Sequence, residues 1–486
     1  TKKNTDILEN NLNFFKNEIK KNPDIANFPM LYIDDEADQA SIDTSKPESE
    51  TPTTINAKTR LILDLFDRTS YVGYSATPFA NAFITRKPQK FKNIQKVKQV
   101  NEDGSVKRKN GKIVYEELTR TLRDPSDLFP DNFCYALEVP STYWGAREVF
   151  IVKNEMDDDE QRMDVIPRLY LPQVQPIEDL YKNKPNDLND DLSWFSAKAN
   201  TDAKYVPLYR KEKKIPPSLE EAVDSFILNI CIRKFRNQEN EHNTMLIHTS
   251  HRTNMHSQVR GQVQEYLDAL ITEIESNSKP TFEKFKVLLD KKYRAIQKEF
   301  NKVIDDEMPI GWGKIKEYAD ITPWNKIKEE IHVALLKIRV ATFNSEKDSQ
   351  TLSSFYHKKS GSNLIAVGAN KLNRGIVLKG LSVSYFRRNA KTADTLMQMG
   401  RFFGYRPQYM DLCRIYLDKE ILHNFRSSSL ITEKYREEII DLSNDDEKTP
   451  ADVGIKIMYS PEIMITRPNA MYHVEMVEAN YSNRTE

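Results

Sequence analysis

The sequence carries no excess of either charge: 72 Lys and Arg stand against 72 Asp and Glu over 486 residues. No global basic field advertises nucleic acid, so any such site has to be a local patch. The chain also lacks any apolar run approaching the roughly 20 residues of a membrane span. Its start, Thr1-Lys2-Lys3-Asn4, lacks the apolar segment of a signal peptide. No membrane partner is expected. Cysteine is scarce: Cys134, Cys231 and Cys413 are far apart in apolar surroundings, which implies neither a zinc site nor a disulfide framework. A reducing cytoplasm is the economical reading. No internal repeat is apparent. What is present is 30% charged residues with apolar periodicity almost throughout, in a chain long enough for roughly two to four domains.

Apolar runs alternate with a helical pattern between Leu364 and Leu417. Leu364 to Val367, Ser382 to Phe386 and Cys413 to Leu417 read as strands of a buried parallel sheet, with a helix over Thr392 to Phe403. The expected fold class is α/β. At about 100° per residue, Asp394, Gln398 and Arg401 share one helix face, while Leu396, Met399 and Phe403 fall on the other. An apolar face packs on the sheet, so Gln398 and Arg401 are expected to look into a cleft. Gly404 is expected to break the helix. Arg406 precedes Pro407, which favours extended backbone, so it should project separately from Arg401. Two arginines presented from a helix and its C-terminal break suit the phosphates of a nucleotide, as arginine fingers do.

Upstream, Met30-Leu31-Tyr32-Ile33 reads as a short strand running into Asp34-Asp35-Glu36-Ala37-Asp38. Acids at the C-terminal end of a strand lie where open α/β sheets place ligands. Paired carboxylates there can divide the chemistry between them, Asp35 holding the magnesium of a nucleoside triphosphate and Glu36 orienting the attacking water. A solvated acidic turn is the plain alternative. After a helix expected over Thr54 to Arg68 come Tyr71-Val72-Gly73-Tyr74 and then Ser75-Ala76-Thr77-Pro78.

The run Gln398-Met399-Gly400-Arg401-Phe402-Phe403-Gly404-Tyr405-Arg406, with Asn373-Arg374-Gly375 upstream, resembles motifs VI and V of superfamily-two helicases and translocases. More narrowly it resembles the Z1 domain family, found beside methyltransferases and nucleases in bacterial restriction and phage-defence islands. That family's motif VI has Trp where Phe402 stands here. Ser75-Ala76-Thr77 resembles motif III, which couples the nucleotide site to the nucleic-acid groove. The resemblance implies two RecA-like domains with parallel sheets, the first incomplete at its N-terminus, plus helical and β-hairpin insertions. It implies ATP and Mg2+ in their cleft, with Arg374 and Gly375 on the nucleotide side, and DNA across the top. The implied work is ATP-driven translocation for a defence system in which a separate nuclease, methyltransferase or other subunit acts. No nuclease constellation is recognisable in this chain. The Gly-x-x-x-x-Gly-Lys-Ser/Thr loop of such motors is also not found, since Gly311-Trp312-Gly313-Lys314 is followed by Ile315. The chain is therefore expected to start inside its first RecA-like domain. An inactive DNA-binding or assembly scaffold and an RNA helicase remain as alternatives.

The expected organisation assigns residues 1–85 to the first RecA-like domain and 86–217 to an accessory insertion and linker. Residues 218–417 form the second domain, with a helical insertion near 255–338, and 418–486 form a C-terminal extension. Between Arg86 and Lys112 ten basic residues face two acidic ones, with turn signals at Asn101-Glu102-Asp103-Gly104 and Asn110-Gly111. This reads as a β-hairpin or meander whose Lys107, Arg108, Lys109 and Lys112 suit DNA phosphates, with a solvated hairpin as the alternative. Asp131 to Phe150, with Pro140-Ser141-Thr142-Tyr143-Trp144-Gly145, shares the family resemblance but offers no chemistry to assign. Ser218-Leu219-Glu220-Glu221 reads as a capping box. Thr244 to Ile247 reads as a strand ending in His248-Thr249-Ser250-His251-Arg252, the place of motif IV, which makes His248 and Arg252 candidate nucleic-acid contacts.

Overall fold

The computed structural model describes residues 3–47, 49, 51–85, 93–98, 105, 107–109, 112–120, 126–140, 143–150, 174–177, 215–249, 253–295, 323–344, 352, 354–357, 360–368, 372, 377–406, 409–445, 447–472 and 474. The chain divides into two compact units. Unit one comprises Thr1–Ala136 with Ile431–Glu486, and unit two comprises Leu137–Leu430.

Unit one opens with helix α1 (Thr5–Lys21), whose N-cap Asn4 accepts hydrogen bonds from the amides of Asp6 and Ile7. Asp6 in its first turn and Lys20 and Lys21 in its last complement the helix dipole. Strand β1 (Met30–Asp35), helix α2 (Thr54–Leu63) and strand β2 (Thr69–Tyr74) follow. The two strands pair in parallel, with Asp34 opposite Gly73 and Asp35 opposite Tyr74. Leu8 and Leu12 of α1 pack with Leu61 and Ile62 of α2, and with Leu65 and Phe66 beyond it. Burying such side chains is worth about 1.5–3 kcal/mol each, and this small core seats β1 and β2. A single helical turn, α3 (Phe79–Ala82), comes next.

The basic stretch forms two nested ladders. Strand β3 (Asn93–Lys98) pairs antiparallel with β6 (Tyr115–Arg120), and β4 (Arg108–Lys109) pairs antiparallel with β5 (Lys112–Ile113). Lys109 faces Lys112 across the inner ladder, so two residues of sequence join its strands.

Unit two contributes strand β7 (Tyr143–Trp144), helix α4 (Ala146–Phe150), strand β8 (Val174–Pro176) and helix α5 (Pro217–Phe235). Strand β9 (Asn243–His248) leads to helices α6 (Thr253–Glu275), α7 (Lys279–Leu288) and α8 (Trp324–Leu336). Then come β10 (Ile338–Phe343), β11 (Asn363–Gly368), β12 (Leu381–Phe386), helix α9 (Ala393–Met399), β13 (Gly404–Tyr405) and β14 (Arg414–Leu417). Helix α10 (Lys419–Ser443) begins in unit two, and its residues from Ile431 onward belong to unit one. Six strands form one sheet in the order β10-β11-β9-β12-β14-β8, parallel throughout. Strands β9, β12 and β14 are buried at every position, so Ser382 and Ser384 of β12 are enclosed together with its apolar residues, as in a parallel sheet covered on both faces. From β9 the chain goes to one side of the sheet for β10 and β11, then crosses to the other for β12 and β14. Such a reversal opens a crevice at the C-terminal ends of the strands. Among the described residues, no helix is long and apolar enough to cross a membrane.

Two local expectations are corrected. The capping box at Ser218 does not form. The helix starts one residue earlier, with Pro217 in its first turn, and the amides of Leu219 and Glu220 donate to the carbonyl of Pro216. The Ser218 hydroxyl instead pairs with that of Tyr385 at 3.0 Å. The second correction concerns the helix expected over Thr392 to Phe403, which ends at Met399, with Gly400 rather than Gly404 closing it. A Cβ at Gly400 would lie 2.6 Å from the Phe403 ring, so glycine lets that ring close over the turn without being displaced.

Candidate functional site

The acidic motif sits where β1 ends beside β2, and pleating sends its carboxylates to opposite sides. Asp34 points inward and is buried. It accepts hydrogen bonds from the hydroxyls of Ser41 (2.5 Å) and Tyr71 (2.6 Å) and pairs with the Lys3 ammonium at 2.8 Å. Burial, reinforced by the Asp34 charge, pushes the Tyr71 hydroxyl far above its usual pKa, so it stays a donor. Asp35 is exposed, and its carboxylate accepts the amide of Glu36 at 3.1 Å.

Glu36 adopts φ = +56°, the left-handed region, which costs a side chain-bearing residue about 1–2 kcal/mol. Several contacts hold it there. The Lys3 ammonium donates to its carbonyl at 2.8 Å, the amide of Gln39 donates to the same carbonyl, and the amide of Ala37 donates to the carbonyl of Tyr74 at 2.9 Å. Gly73 lets this loop lie on β2, because a Cβ there would meet the Ala37 methyl at 2.8 Å. Backbone strain kept in place by surrounding contacts is a recurrent mark of functional positions.

The Ser75-Ala76-Thr77 loop is joined to the acids through Asp38, a member of the motif to which the sequence alone gives no role. Asp38 is buried. One of its oxygens accepts the Ser75 hydroxyl at 2.7 Å and the other accepts the Thr77 hydroxyl at 3.3 Å. The Ser75 hydroxyl in turn accepts the amide of Thr77 at 3.0 Å. Ala76, between them, is exposed. The two loops therefore behave as one polar assembly at the ends of adjacent strands.

A magnesium nucleotide makes modest demands on such a site. Mg2+ keeps much of its water and takes one or two carboxylates beside the phosphates, rather than a protein cage. Among the described residues no group of three or more His, Cys, Asp or Glu is arranged to hold a metal. The single exposed carboxylate of Asp35, with Glu36 next to it, fits the water-rich case.

In unit two, α9 buries Ala393, Leu396 and Met399, leaving Asp394 and Gln398 half-buried on its other side. Arg401 does not extend that helical face. It lies in the turn after Gly400, its amide donating to the carbonyl of Met399 at 2.8 Å, and its side chain is half-buried. Arg406 is folded back on its own loop, donating to the carbonyls of Tyr405 (3.0 Å) and Phe403 (3.5 Å), with its guanidinium 2.8 Å from where a Cβ on Gly404 would lie. Phe402, Phe403, Phe425 and Phe150 form an aromatic cluster beneath the turn.

His248 ends β9 fully buried, its ring stacked on Phe386 at 4.7 Å, with its carbonyl accepting the amide of Arg387. The ring is thus enclosed by the sheet end and packs in the core. Beside it, the Arg387 guanidinium is hydrogen-bonded to Asp418, whose other oxygen accepts the amide of Ile421 at 2.9 Å at the start of α10. Arg252, Arg374 and Gly375 lie outside the described residues. On the basic arm Lys107 and Arg108 are exposed, and Lys109 and Lys112 occupy paired positions of the inner ladder.

A search of the curated proteins returns no match, and neither does a search of the solved structures. Residues 218–464 match the Z1 domain model, a stretch that includes α5 from Ser218 onward, the Gln398-to-Arg406 run and every strand of the six-stranded sheet except β8. Because the match spans more than half of the 486 residues, the chain belongs to the Z1 domain family.

Proposed function

We propose that this chain is the ATP-dependent, helicase-like motor part of a bacterial anti-phage or restriction system, with RecA-like folds in both units and DNA as its track. The observation that carries the reading is the Asp38 clamp. It ties the Asp-Glu-Ala-Asp loop to Ser75 and Thr77, so a change at the acids is felt by the loop that resembles motif III. In this reading Asp35 holds Mg2+, which would neutralise charge on the ATP phosphates. Glu36 orients the attacking water, Gln398 and Arg401 act on the phosphates, and Arg374 and Gly375 line the nucleotide side. Lys107, Arg108, Lys109, Lys112 and Arg252 carry the DNA backbone, with nuclease or methyltransferase subunits as partners.

The second reading is an ATP-silent scaffold of the same family. It is favoured by the way two of Arg406's donors are turned back onto the carbonyls of Tyr405 and Phe403.

One experiment addresses both ligands: ATP hydrolysis with and without duplex DNA, in parent protein and in a variant with the four arm residues neutralised. DNA-stimulated hydrolysis is expected in the parent. In the variant the log–log salt dependence of DNA binding should flatten by about 0.9 per lost phosphate contact. Hydrolysis absent in the presence of DNA would favour the scaffold, and an unchanged salt slope would return the arm to a solvated hairpin.

A further inference from the structure

The segment from Tyr143 to Phe150 lies outside the Z1 match, and no chemistry falls to it, yet it is built tightly against motif VI. Strand β7 pairs antiparallel with β13, placing Trp144 opposite Gly404 and Tyr143 opposite Tyr405. The Tyr143 and Tyr405 rings meet edge to face at 5.4 Å. Trp144 is buried, and so is Phe150, whose ring lies edge-on to Phe402 and Phe403 at 6.0 Å each. On its other side Phe150 stacks on Phe425 at 5.0 Å.

A two-residue strand such as β13 does not hold its shape without a partner. Gly404 has φ = +146° and so supplies backbone freedom rather than rigidity. Gly400 likewise gives no side chain to pack. The turn that carries Arg401 is therefore flanked by two permissive residues, and its fixed contacts include rings and a strand from more than 250 positions upstream.

We propose that Tyr143, Trp144 and Phe150 are positioning residues for the Arg401 turn: they hold the loop 400–406 in one conformation and so set where that guanidinium can go. The geometry stands on its own, and the catalytic consequence rests on the ATP-motor reading.

The test uses the full chain and two readouts, hydrogen exchange of the 400–406 backbone and steady-state ATP turnover. Tyr143→Ser, at a half-buried position, is the milder variant and Phe150→Ala the stronger. Tyr143→Phe keeps the ring contact as the conservative control. Both disruptive variants should speed exchange at 400–406 by about tenfold or more while β9 and β12 stay protected. Turnover should fall about tenfold with the KM for ATP little changed, as for a group that acts only in the transition state. Tyr143→Phe should restore both. Unchanged exchange at 400–406 in folded Tyr143→Ser protein overturns the proposal, as does a KM that rises in step with the loss. If the parent protein hydrolyses no ATP, the motor reading falls, and the exchange measurement still decides whether the segment positions the turn.

Discussion

The two units hold their motifs by different physics. In unit two the arginine turn rests on aromatic rings beside a six-stranded sheet whose central strands are buried along their length. In unit one the acids end a described sheet of two strands, on which Leu31 and Ile33 are 57% and 61% exposed. Their loop is fixed by hydrogen bonds to carboxylates and by one lysine. Packing is insensitive to charge and spreads its cost over many contacts. A polar network concentrates its cost in a few groups, each of which is expensive to lose once buried. The arginine turn should therefore tolerate changes that leave ring volume intact, whereas the acid loop should fail on single polar substitutions.

The largest effect is expected at Arg401. Its replacement by Ala should lower ATP turnover by about 10³ to 10⁵, the usual worth of an arginine finger. Arg406→Ala should cost far less, because that guanidinium is already bonded to Tyr405 and Phe403. Turnover measured under saturating ATP and DNA decides the pair, and equal losses would mean that Arg406 leaves its loop in the working state.

Next comes Asp38→Ala. It removes two hydrogen bonds to a carboxylate and should destabilise unit one by about 3 kcal/mol, read as a shift in urea midpoint. A change below about 0.5 kcal/mol, the range of an ordinary surface substitution, would show that the clamp is ornamental.

The smallest effect lies in unit two, where a charged group is buried against the trend. Asp224 is fully buried on α5. It accepts the Tyr266 hydroxyl at 2.8 Å and pairs with Lys284 at 2.7 Å, and Glu220 also faces Lys284 at 3.7 Å. Burial raises its carboxyl to about 6, against the downward pull of Lys284. Between the unfolded value near 3.8 and the folded value the native state binds the extra proton, so stability falls as pH rises through that window. Asp224→Asn should flatten the urea midpoint between about pH 4 and pH 6. An unaltered slope would assign the dependence to other groups.

The fold class was legible because parallel strands buried on both faces leave apolar runs, continuous in Leu364 to Val367 and interrupted only by small serines in Ser382 to Phe386. Tertiary contacts decided what was missed. Periodicity carried the helix through Arg401, but the helix ends at Met399, and Gly400 leaves room for the Phe403 ring to close over the turn. A hydroxyl placed for capping at Ser218 found Tyr385 instead, a partner 167 residues away. His248 looked available in a polar loop, yet it is the last residue of a buried strand. Asp38 did leave a signal, an acid two residues beyond the pair given chemistry and two hydroxyl residues beyond the next strand. Only the register of β1 on β2 brings them together.

The proposed motor role stands or falls on whether the strained acid loop supports ATP turnover. Glu36→Gln preserves the shape of the residue and the exposed Asp35 carboxylate, so nucleotide binding in the presence of Mg2+ should stay within a fewfold of the parent. Hydrolysis should fall by about 10² to 10⁴, the usual contribution of a positioned general base. The decisive measurement is DNA-stimulated ATP turnover of Glu36→Gln beside its ATP affinity. Binding retained with turnover lost is the predicted result, and turnover within a fewfold of the parent would contradict the account.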